Sequence, residues 1–177
     1  MSLAPYINQA ILKSLLIYDP ETGEFTWRIR LDARPQWNGR YAGKKAGFAW
    51  RPKGSNVTYW SVRIFDWPFL GHRLAWLYMT GEWPVAEVDP RDLDGTNNRW
   101  SNLRPATKAQ NGANRGKPKT NTSGLKGASW CKGAGRWRAT IHRGGRQIWL
   151  GYHDTAEDAH AAHVAKAKET SGEYARW

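Results

Sequence analysis

The spacing of apolar residues changes several times along the N-terminal part of the chain. Ile7, Ile11 and Leu15 stand at helical intervals, whereas Phe25 and Trp27 alternate with polar residues. Helical intervals put apolar side chains on one face of a helix, and alternation puts them on one face of a strand. The pattern therefore predicts a helix, two antiparallel strands and a second helix. They span residues 4–16, 24–30, 57–65 and 68–80, with a turn at 19–23 and a helix stop at Gly81.

A stretch without apolar periodicity separates this region from the C-terminal one. Residues 112–124 are rich in Gly, Asn, Lys and Ser, which predicts an extended basic linker. Beyond it, we predict three short strands and a helix with Thr155 as its N-cap. The strands cover 125–130, 136–142 and 146–151. The fold class is therefore predicted as α+β, with two domains at 1–114 and 125–177.

Charge is distributed unevenly along the chain. The 177 residues include 27 Lys and Arg against 15 Asp and Glu, a formal net charge of +12. No acidic residue lies between Asp94 and Asp154, and this interval holds twelve basic residues. A field of one sign attracts a polyanion, and each cation set against a phosphate releases a counterion. The alternative is a surface kept basic for solubility, but such a surface ordinarily mixes both signs. We therefore expect nucleic acid as the partner.

Other classes of protein are excluded by composition. The single cysteine, Cys131, cannot form an internal disulfide or a metal site made of several cysteines, so we expect a reduced, intracellular protein. No stretch approaches the roughly 18 apolar residues of a membrane span. A disulfide-rich extracellular scaffold and a membrane protein are therefore not expected.

Polar residues with metal-ligand chemistry surround a predicted hairpin and helix. Asp89 ends a predicted strand, and Asn102 precedes the next one. A helix follows in which Thr107 and Gln110 have capping-box spacing, with Asn111 beside them. Such a hairpin and helix can bring a carboxylate and an amide to one point, and oxygen ligands are what a hard cation prefers.

The stretch from about Leu15 to Asn114 resembles the HNH endonucleases, in particular those of phages and introns. Its hallmarks are YDPETG at 18–23, FTW at 25–27, GHRLAW at 71–76, Asp89, Asn98, NLR at 102–104 and QN at 110–111. The resemblance implies a ββα-metal nuclease fold. It also implies a hydrolase that nicks or cuts DNA with one divalent cation, Mg2+ or Mn2+, and homing endonucleases are among the activities it covers.

The same resemblance assigns roles by position. Asp89 and Asn111 would be the metal ligands, and Asn102 would brace the loop between the strands. The general base of the family should follow Asp89, where this chain has Pro90. Proline has neither a side-chain proton acceptor nor a backbone N–H, and loss of a general base typically removes about two to four decades of rate. Activity of this chain is therefore expected to be impaired.

Neighbouring residues receive mainly structural interpretations. His72 is interpreted as an anchor of its helix, with a replacement base as the alternative. Asp92 and Asp94 are interpreted as residues of a solvated turn, although they could also bind the loop or the metal. Most tryptophans are expected in the core or in hairpin packing. Trp37 and Trp50, in loops rich in Gly and Arg, are more open candidates for base stacking.

Alternation in the C-terminal domain divides its predicted sheet into two faces. Trp137, Ala139 and Ile141 point one way, and Arg138 and Thr140 point the other. An alanine-rich helix can cover the first face, which leaves the second free to enter a DNA major groove. The predicted DNA contacts combine this face with nearby basic and aromatic residues and with the linker. They are Lys126, Trp130, Lys132, Arg136, Arg138, Thr140, His142, Arg143, Arg146, Gln147, Trp149, Arg115, Lys117 and Lys119.

The C-terminal residues also resemble a known DNA-binding module. The matching segments are GASW at 127–130, RWRA at 136–139, WLGY at 149–152, TAEDA at 155–159 and GEYA at 172–175. They are similar to the APETALA-type domain of plant ethylene-response factors (ERF), over about 123–175. The resemblance implies DNA contacts at Trp149 and at positions within the set above. Several of those residues differ in type from the plant ones, so no target sequence is carried over.

Three functions are therefore open. The favoured one is a phage-type HNH DNA endonuclease whose site on DNA is selected by the C-terminal domain. The second is a non-catalytic, sequence-specific DNA-binding protein on a degenerate HNH scaffold. An RNA-binding protein fits the charge but not the resemblance. We expect double-stranded DNA as partner, no membrane or small-molecule substrate, a monomer, and a location in the cytoplasm of a phage-infected or bacterial cell.

Overall fold

The chain divides into two compact units, but the division does not lie at the predicted linker. The computed structural model describes residues 6–114, 116–117 and 121–175. Contacts group the chain into an N-terminal unit, Met1–Pro105, and a C-terminal unit, Ala106–Trp177. The helix that follows this boundary contacts the last helix of the C-terminal unit, and the Lys126 Nζ donates to the Ala113 carbonyl at 3.0 Å. The division therefore lies before the predicted 112–124 linker.

The described part of the N-terminal unit contains three small sheets and three α-helices. The β1-β2 and β3-β4-β5 sheets are antiparallel, and β6 pairs with β7. The helices are α1 (Gln9–Leu15), α2 (Pro35–Tyr41) and α3 (Gly71–Thr80). The strands are β1 (Leu16–Tyr18), β2 (Phe25–Trp27), β3 (Phe48–Trp50), β4 (Tyr59–Ile64), β5 (Trp67–Leu70), β6 (Glu87–Pro90) and β7 (Leu103–Ala106).

One hydrophobic core joins most of these elements. Leu12 of α1, Phe25 of β2, Val62 of β4 and Leu74 of α3 are fully buried and belong to the same cluster. The two predicted helices and two predicted strands are present within shorter bounds, and α3 ends at Gly81 in the left-handed region as expected. Residues 68–70, predicted as the start of the second helix, belong to β5 instead, and residues 4–5 of the first predicted helix lie outside the described residues. Helix α2 was not predicted, because it buries no residue completely and so has no apolar stripe to reveal it.

The turn between β1 and β2 supports the loop between β6 and β7. The Tyr18 hydroxyl donates to the Asn98 carbonyl at 2.6 Å, and the Trp100 N–H donates to the Pro20 carbonyl at 2.9 Å. Gly23 lies so close to this loop that a Cβ would stand 2.4 Å from the Arg99 nitrogen. Only glycine fits this approach, so the lead-in turn and the loop form one packed structure.

The C-terminal unit is an antiparallel three-stranded sheet covered by a helix. Its elements are α4 (Lys108–Asn114), β8 (Ala128–Cys131), β9 (Arg136–Arg143), β10 (Arg146–His153) and α5 (Ala156–Ser171). The strand order is β10-β9-β8, and Ala128, Ala139 and Ala159 form the buried centre. Small side chains let α5 lie close to the sheet, as its sequence predicted. None of the helices in the described ranges is both long and apolar enough to cross a membrane.

A bulge in β10 interrupts the alternation of side chains along this strand. Trp149 pairs with Thr140, but Gly151 pairs with Ala139, so Leu150 is the extra residue. An extra residue reverses the alternation beyond it. Tyr152 consequently lies on the same face as Trp149, and their rings are 5.7 Å apart. The sequence pattern did not reveal Tyr152 as a residue of the exposed face.

His72 is a core residue of the N-terminal unit. It is 6% exposed, and its ring lies 5.7 Å from the Tyr59 ring. Its Nδ1 has no hydrogen-bond partner among the described residues. Burial, with a smaller contribution from the nearby charge of Arg73, lowers the pKa of His72 to about 4. The ring is therefore neutral at physiological pH.

We predict that Gly23→Ala weakens the N-terminal unit more than Gly54→Ala. Both glycines have positive φ, but a Cβ at Gly54 meets nothing within 4 Å. The backbone cost, about 1 kcal/mol, applies to both variants, and the clash with the β6–β7 loop adds about 1–3 kcal/mol for Gly23→Ala alone. Urea denaturation followed by tryptophan fluorescence measures the difference. Equal destabilisation would contradict the packed contact.

We predict that acid destabilises the folded chain through His72. An unfolded histidine takes up a proton below its usual pKa of 6.5, whereas the folded ring resists protonation until about 4. The free energy of unfolding therefore decreases as the pH falls from 6.5 toward 4, by about 3 kcal/mol from this residue. Urea denaturation at pH 7 and pH 4.5 should show a smaller decrease for His72→Gln than for the original chain. The same decrease in both proteins would disprove the assignment.

Candidate functional site

Asp89, near the end of β6, forms a buried ion pair with Arg104 of β7. The Nε and Nη2 atoms of Arg104 donate to Oδ2 of Asp89 at 3.0 and 2.9 Å. Asp89 is 1% exposed and Arg104 is 4% exposed. Two charge-assisted hydrogen bonds at this depth fix the carboxylate, and removing one partner of a buried ion pair is strongly destabilising. The ion pair therefore sets the orientation of the candidate metal ligand.

Asn102 joins both ends of the β6–β7 loop. Its Nδ2 donates to Oδ1 of Asp92 at 3.0 Å and to the Asn97 carbonyl at 2.9 Å. Its Oδ1 accepts from the Asp92 N–H at 3.1 Å. An amide that donates twice and accepts once can hold three points of a loop together. These contacts fit the bracing role that the HNH resemblance implies.

Asp92 is the centre of the same network. Its Oδ2 accepts from Asn97 Nδ2 at 2.6 Å, and its Oδ1 also accepts from the Asp94 N–H at 2.9 Å. Partial burial raises the pKa of Asp92, but the hydrogen bonds from Asp94, Asn97 and Asn102 together lower it below its usual value. Asp92 is thus an exposed turn residue, as interpreted from the sequence, and it also binds the loop, which was the stated alternative.

Pro90 occupies the last position of β6, directly before this loop. Its carbonyl accepts from the Leu93 N–H at 3.1 Å, and the following Arg91 N–H donates to the Asn102 carbonyl at 2.9 Å. The backbone therefore enters the loop in an ordered conformation. The side chain offers no proton acceptor, and the buried, weakly basic His72 is a poor replacement for a general base. The structural interpretation of His72 is favoured.

Asn111 lies on α4, in the C-terminal unit, and is partly buried. The predicted capping box at the start of this helix is confirmed. The Gln110 N–H donates to Thr107 Oγ1 at 3.2 Å, and the Thr107 N–H donates to Gln110 Oε1 at 2.8 Å. The cap fixes the first turn, and Asn111 follows directly, with its N–H bonded to the Thr107 carbonyl at 2.9 Å.

The donors at the two predicted ligand positions suit a hard cation. Asp89 provides carboxylate oxygen and Asn111 provides amide oxygen. Within the described ranges, no group of three or more His, Cys, Asp and Glu residues could hold a metal ion. Mg2+ commonly binds through one or two protein oxygens and completes its shell with water and phosphate. The chemistry of the two donors fits such an ion, and it does not fit a metal that needs a closed protein cage.

The exposed face of the C-terminal sheet carries polar and aromatic side chains. We call this the reading face. Arg138, His142 and Gln147 are exposed, and Thr140 is partly buried. Trp149 is 61% exposed, and the bulge adds Tyr152, which is 40% exposed. Guanidinium and amide groups can hydrogen-bond base edges, and aromatic rings can pack on sugars and thymine methyl groups.

Two predicted DNA contacts lie on the helix-covered face of the sheet, and a third forms an ion pair within the chain. Trp130 pairs with Trp137, which places its ring on the helix-covered face, 5.4 Å from the Trp137 ring. Arg143 donates from Nε to Thr170 Oγ1 on α5 at 2.9 Å. Arg136 forms a 2.6 Å ion pair with Asp154. The prediction for Trp130 and Arg143 followed residue type and overlooked the face on which each lies.

The other predicted contacts are distributed around the sheet. Lys132 and Arg146 are exposed, and Lys117 Nζ donates to the Gly124 carbonyl at 2.9 Å. Arg115 and Lys119 lie outside the described residues. A groove of about 630 Å3 brings together six of the predicted contacts. They are Lys126, Arg138, Thr140, His142, Arg143 and Gln147.

Comparison with known proteins identifies the hairpin and helix of the candidate site. A family model described as HNH endonuclease matches residues 70–113, which include β6, the braced loop, β7 and most of α4. Protein 3.8 of Escherichia phage T7 is 36% identical over 90 residues, covering 51% of this chain and 74% of the phage protein. No solved structure matches the chain significantly.

The family match coincides with the residues whose geometry is described above. It begins at α3 and ends on the capped helix α4, so the predicted HNH resemblance is confirmed for this part of the chain. The resemblance of residues 123–175 to the APETALA-type domain stays a prediction. With an HNH domain and a phage relative covered over most of its length, the chain belongs to the HNH endonuclease family.

Proposed function

We propose that this protein is an HNH DNA endonuclease whose C-terminal unit selects the site and whose hydrolytic step is impaired by Pro90. The observation that carries the proposal is Asp89, held by Arg104 in the family-matched hairpin and followed by proline. Asp89 and Asn111 would hold one divalent ion. When bound, Mg2+ or Mn2+ would supply positive charge at the scissile phosphate and its leaving oxygen.

The residues of this chain would position the metal ligand and the loop, but they would not provide a general base. Arg104 orients the Asp89 carboxylate, because its guanidinium donates two hydrogen bonds to one carboxylate oxygen. Asn102 and Asp92 hold the loop that leads away from it. At position 90, however, the side chain has no proton acceptor that could remove a proton from the attacking water. The site can therefore bind and orient a strand better than it can cut one.

A non-catalytic DNA-binding protein is the second candidate. Pro90 favours this candidate. The scaffold keeps the loop, the ion pair and the basic C-terminal unit, but it lacks the general base, so it could bind DNA without cutting it. The two candidates differ only in turnover. Both place DNA on the reading face, in a domain that we propose to be APETALA-type.

We predict that Pro90→His increases cleavage of supercoiled plasmid about 100- to 10,000-fold in Mg2+ or Mn2+, because it restores an imidazole at the position of the general base. Pro52→His is the matched control, because it adds a histidine at a partly exposed turn that is far from Pro90 in the sequence. Agarose gels that resolve supercoiled, nicked and linear plasmid measure the rates.

One further variant, together with the unmodified chain, makes this experiment decisive. Adding Asn111→Ala to Pro90→His should abolish the gained activity by removing a metal ligand. If Pro90→His is folded, binds DNA and still does not cut, the proposed endonuclease is wrong and the non-catalytic candidate stands. If the unmodified chain cuts as fast as Pro90→His, another group acts as base.

We predict a steep decrease in affinity for duplex DNA with added salt, since the cations of the C-terminal unit would displace counterions from phosphates. Arg146→Gln removes an exposed cation and should lower the slope of log affinity against log salt by about one. Arg143→Gln, whose side chain is held by Thr170, should leave the slope nearly unchanged. Fluorescence anisotropy measures both. A flat salt dependence, or tighter binding of single-stranded RNA than of duplex DNA, would contradict the proposed partner.

A further inference from the structure

An aromatic groove of about 780 Å3 opens on the N-terminal unit. It is separate from Asp89 and its loop, and the HNH assignment gives it no role. Three of its rings are unusually open, with exposed fractions of 37% for Tyr41, 43% for Phe48 and 48% for Phe65. The aromatic side chains that line it are Trp27, Trp37, Tyr41, Phe48 and Phe65.

The rings and one arginine form a contiguous cluster. The Trp37 ring lies 5.3 Å from Trp27 at 83° and 5.2 Å from Tyr41 at 44°. The Arg30 guanidinium lies over the Trp37 ring at 5.1 Å and over the Phe65 ring at 5.7 Å. Flat π surfaces with a stacked guanidinium are what unpaired bases pack against.

Phe65 is held in this groove at a conformational cost. Phe65 and Asp66 form the two-residue loop of the β4–β5 hairpin, in which Ile64 pairs with Trp67. Their φ angles are +48° and +66°. Such loops favour Asn-Gly, because residues with larger side chains avoid positive φ. The half-exposed ring gives little burial in return, so stability does not explain its presence.

The groove also lies in a strongly basic part of the chain. Residues 28–63 contain nine Lys and Arg and one acidic residue, Asp32. Asp32 is paired with Arg30 at 2.7 Å. Arg63 and Asp66 both line the groove, and Arg40 lies over the Tyr41 ring at 5.4 Å. The excess of cations favours a ligand that carries phosphates together with aromatic surfaces.

We propose that the aromatic groove binds an unpaired base of a DNA strand, with the surrounding cations facing its phosphates. Intact duplex DNA keeps its base faces stacked and cannot offer them to the rings. An acidic peptide would satisfy the charge but would leave the exposed rings without a flat partner. The proposal rests on the proposed DNA-binding function and deepens it, because it adds a site for single-stranded or locally opened DNA.

The test uses a single-stranded oligonucleotide that contains 2-aminopurine, whose fluorescence is quenched when it stacks. The full chain should quench it and bind the strand. Phe65→Asn removes the ring at a position where asparagine suits the backbone, so its thermal stability should equal or exceed that of the original chain. Its affinity for the strand should nevertheless decrease about 5- to 100-fold.

Matched variants and competitors separate stacking from charge. Tyr41→Ala should weaken binding of the strand, whereas Tyr6→Ala, which removes a 79% exposed ring outside the groove, should not. A poly-glutamate decamer should not displace the oligonucleotide. Unchanged affinity of Phe65→Asn and Tyr41→Ala, an equal loss for Tyr6→Ala, or displacement by poly-glutamate would each overturn the proposal.

Parallel titration with a fully paired duplex distinguishes this proposal from the proposed function. Phe65→Asn should keep its affinity for the duplex, since the reading face is unaltered. If the original chain binds the duplex but neither binds nor quenches the single strand, the groove proposal alone is wrong. If it binds neither, the DNA-binding function is wrong as well.

Discussion

The pairing of Asp89 with Arg104 is the constraint on which the candidate site depends. A carboxylate at this depth is costly unless a cation and hydrogen bonds compensate it, and Arg104 supplies both from the neighbouring strand. The pair also links β6 to β7, so the loop between them begins and ends at fixed points. Asn102 and Asp92 can then close the loop with short side-chain hydrogen bonds. Outside this hairpin, the turn at 19–23 packs on the loop through Gly23 and Tyr18.

Pro90 is compatible with the fold of this hairpin, although its side chain cannot accept a proton. A two-stranded sheet has only edge strands, and proline is tolerated at the end of such a strand. Its carbonyl still accepts a hydrogen bond inside the loop. Proline at position 90 offers no side-chain proton acceptor, yet the hairpin, the hydrogen bonds of Asn102 and the basic surfaces are all present. In the proposed endonuclease, binding and hydrolysis would depend on different residues, and only hydrolysis would depend on position 90.

Much of the fold could be predicted because local patterns and tertiary packing agree. The helical spacing of the residues in α1 and α3, the capping box at Thr107 and the N-cap at Thr155 all reappear in the structure. Other features depend on contacts that no local pattern encodes. Helix α2 has no buried stripe, and the bulge at Leu150 exists only relative to the partner strand. Likewise, residue type predicted Arg143 as a DNA contact, whereas the approach of α5 determines where its guanidinium lies. The proposed metal ligands and the position of the expected general base came from the family resemblance, and composition alone would not have revealed them.

The closed hydrogen-bond network of the β6–β7 loop has a thermodynamic consequence. Because Asp92, Asn97 and Asn102 satisfy one another, the loop reaches its shape from protein groups alone. A disordered loop would lose conformational entropy on meeting an ion or a phosphate, at roughly 1–2 kcal/mol for each backbone residue fixed. Here that entropy is already lost when the chain folds. A ligand arriving at this hairpin would therefore bind a prepared surface, and its affinity would report the contacts it makes rather than the ordering it causes.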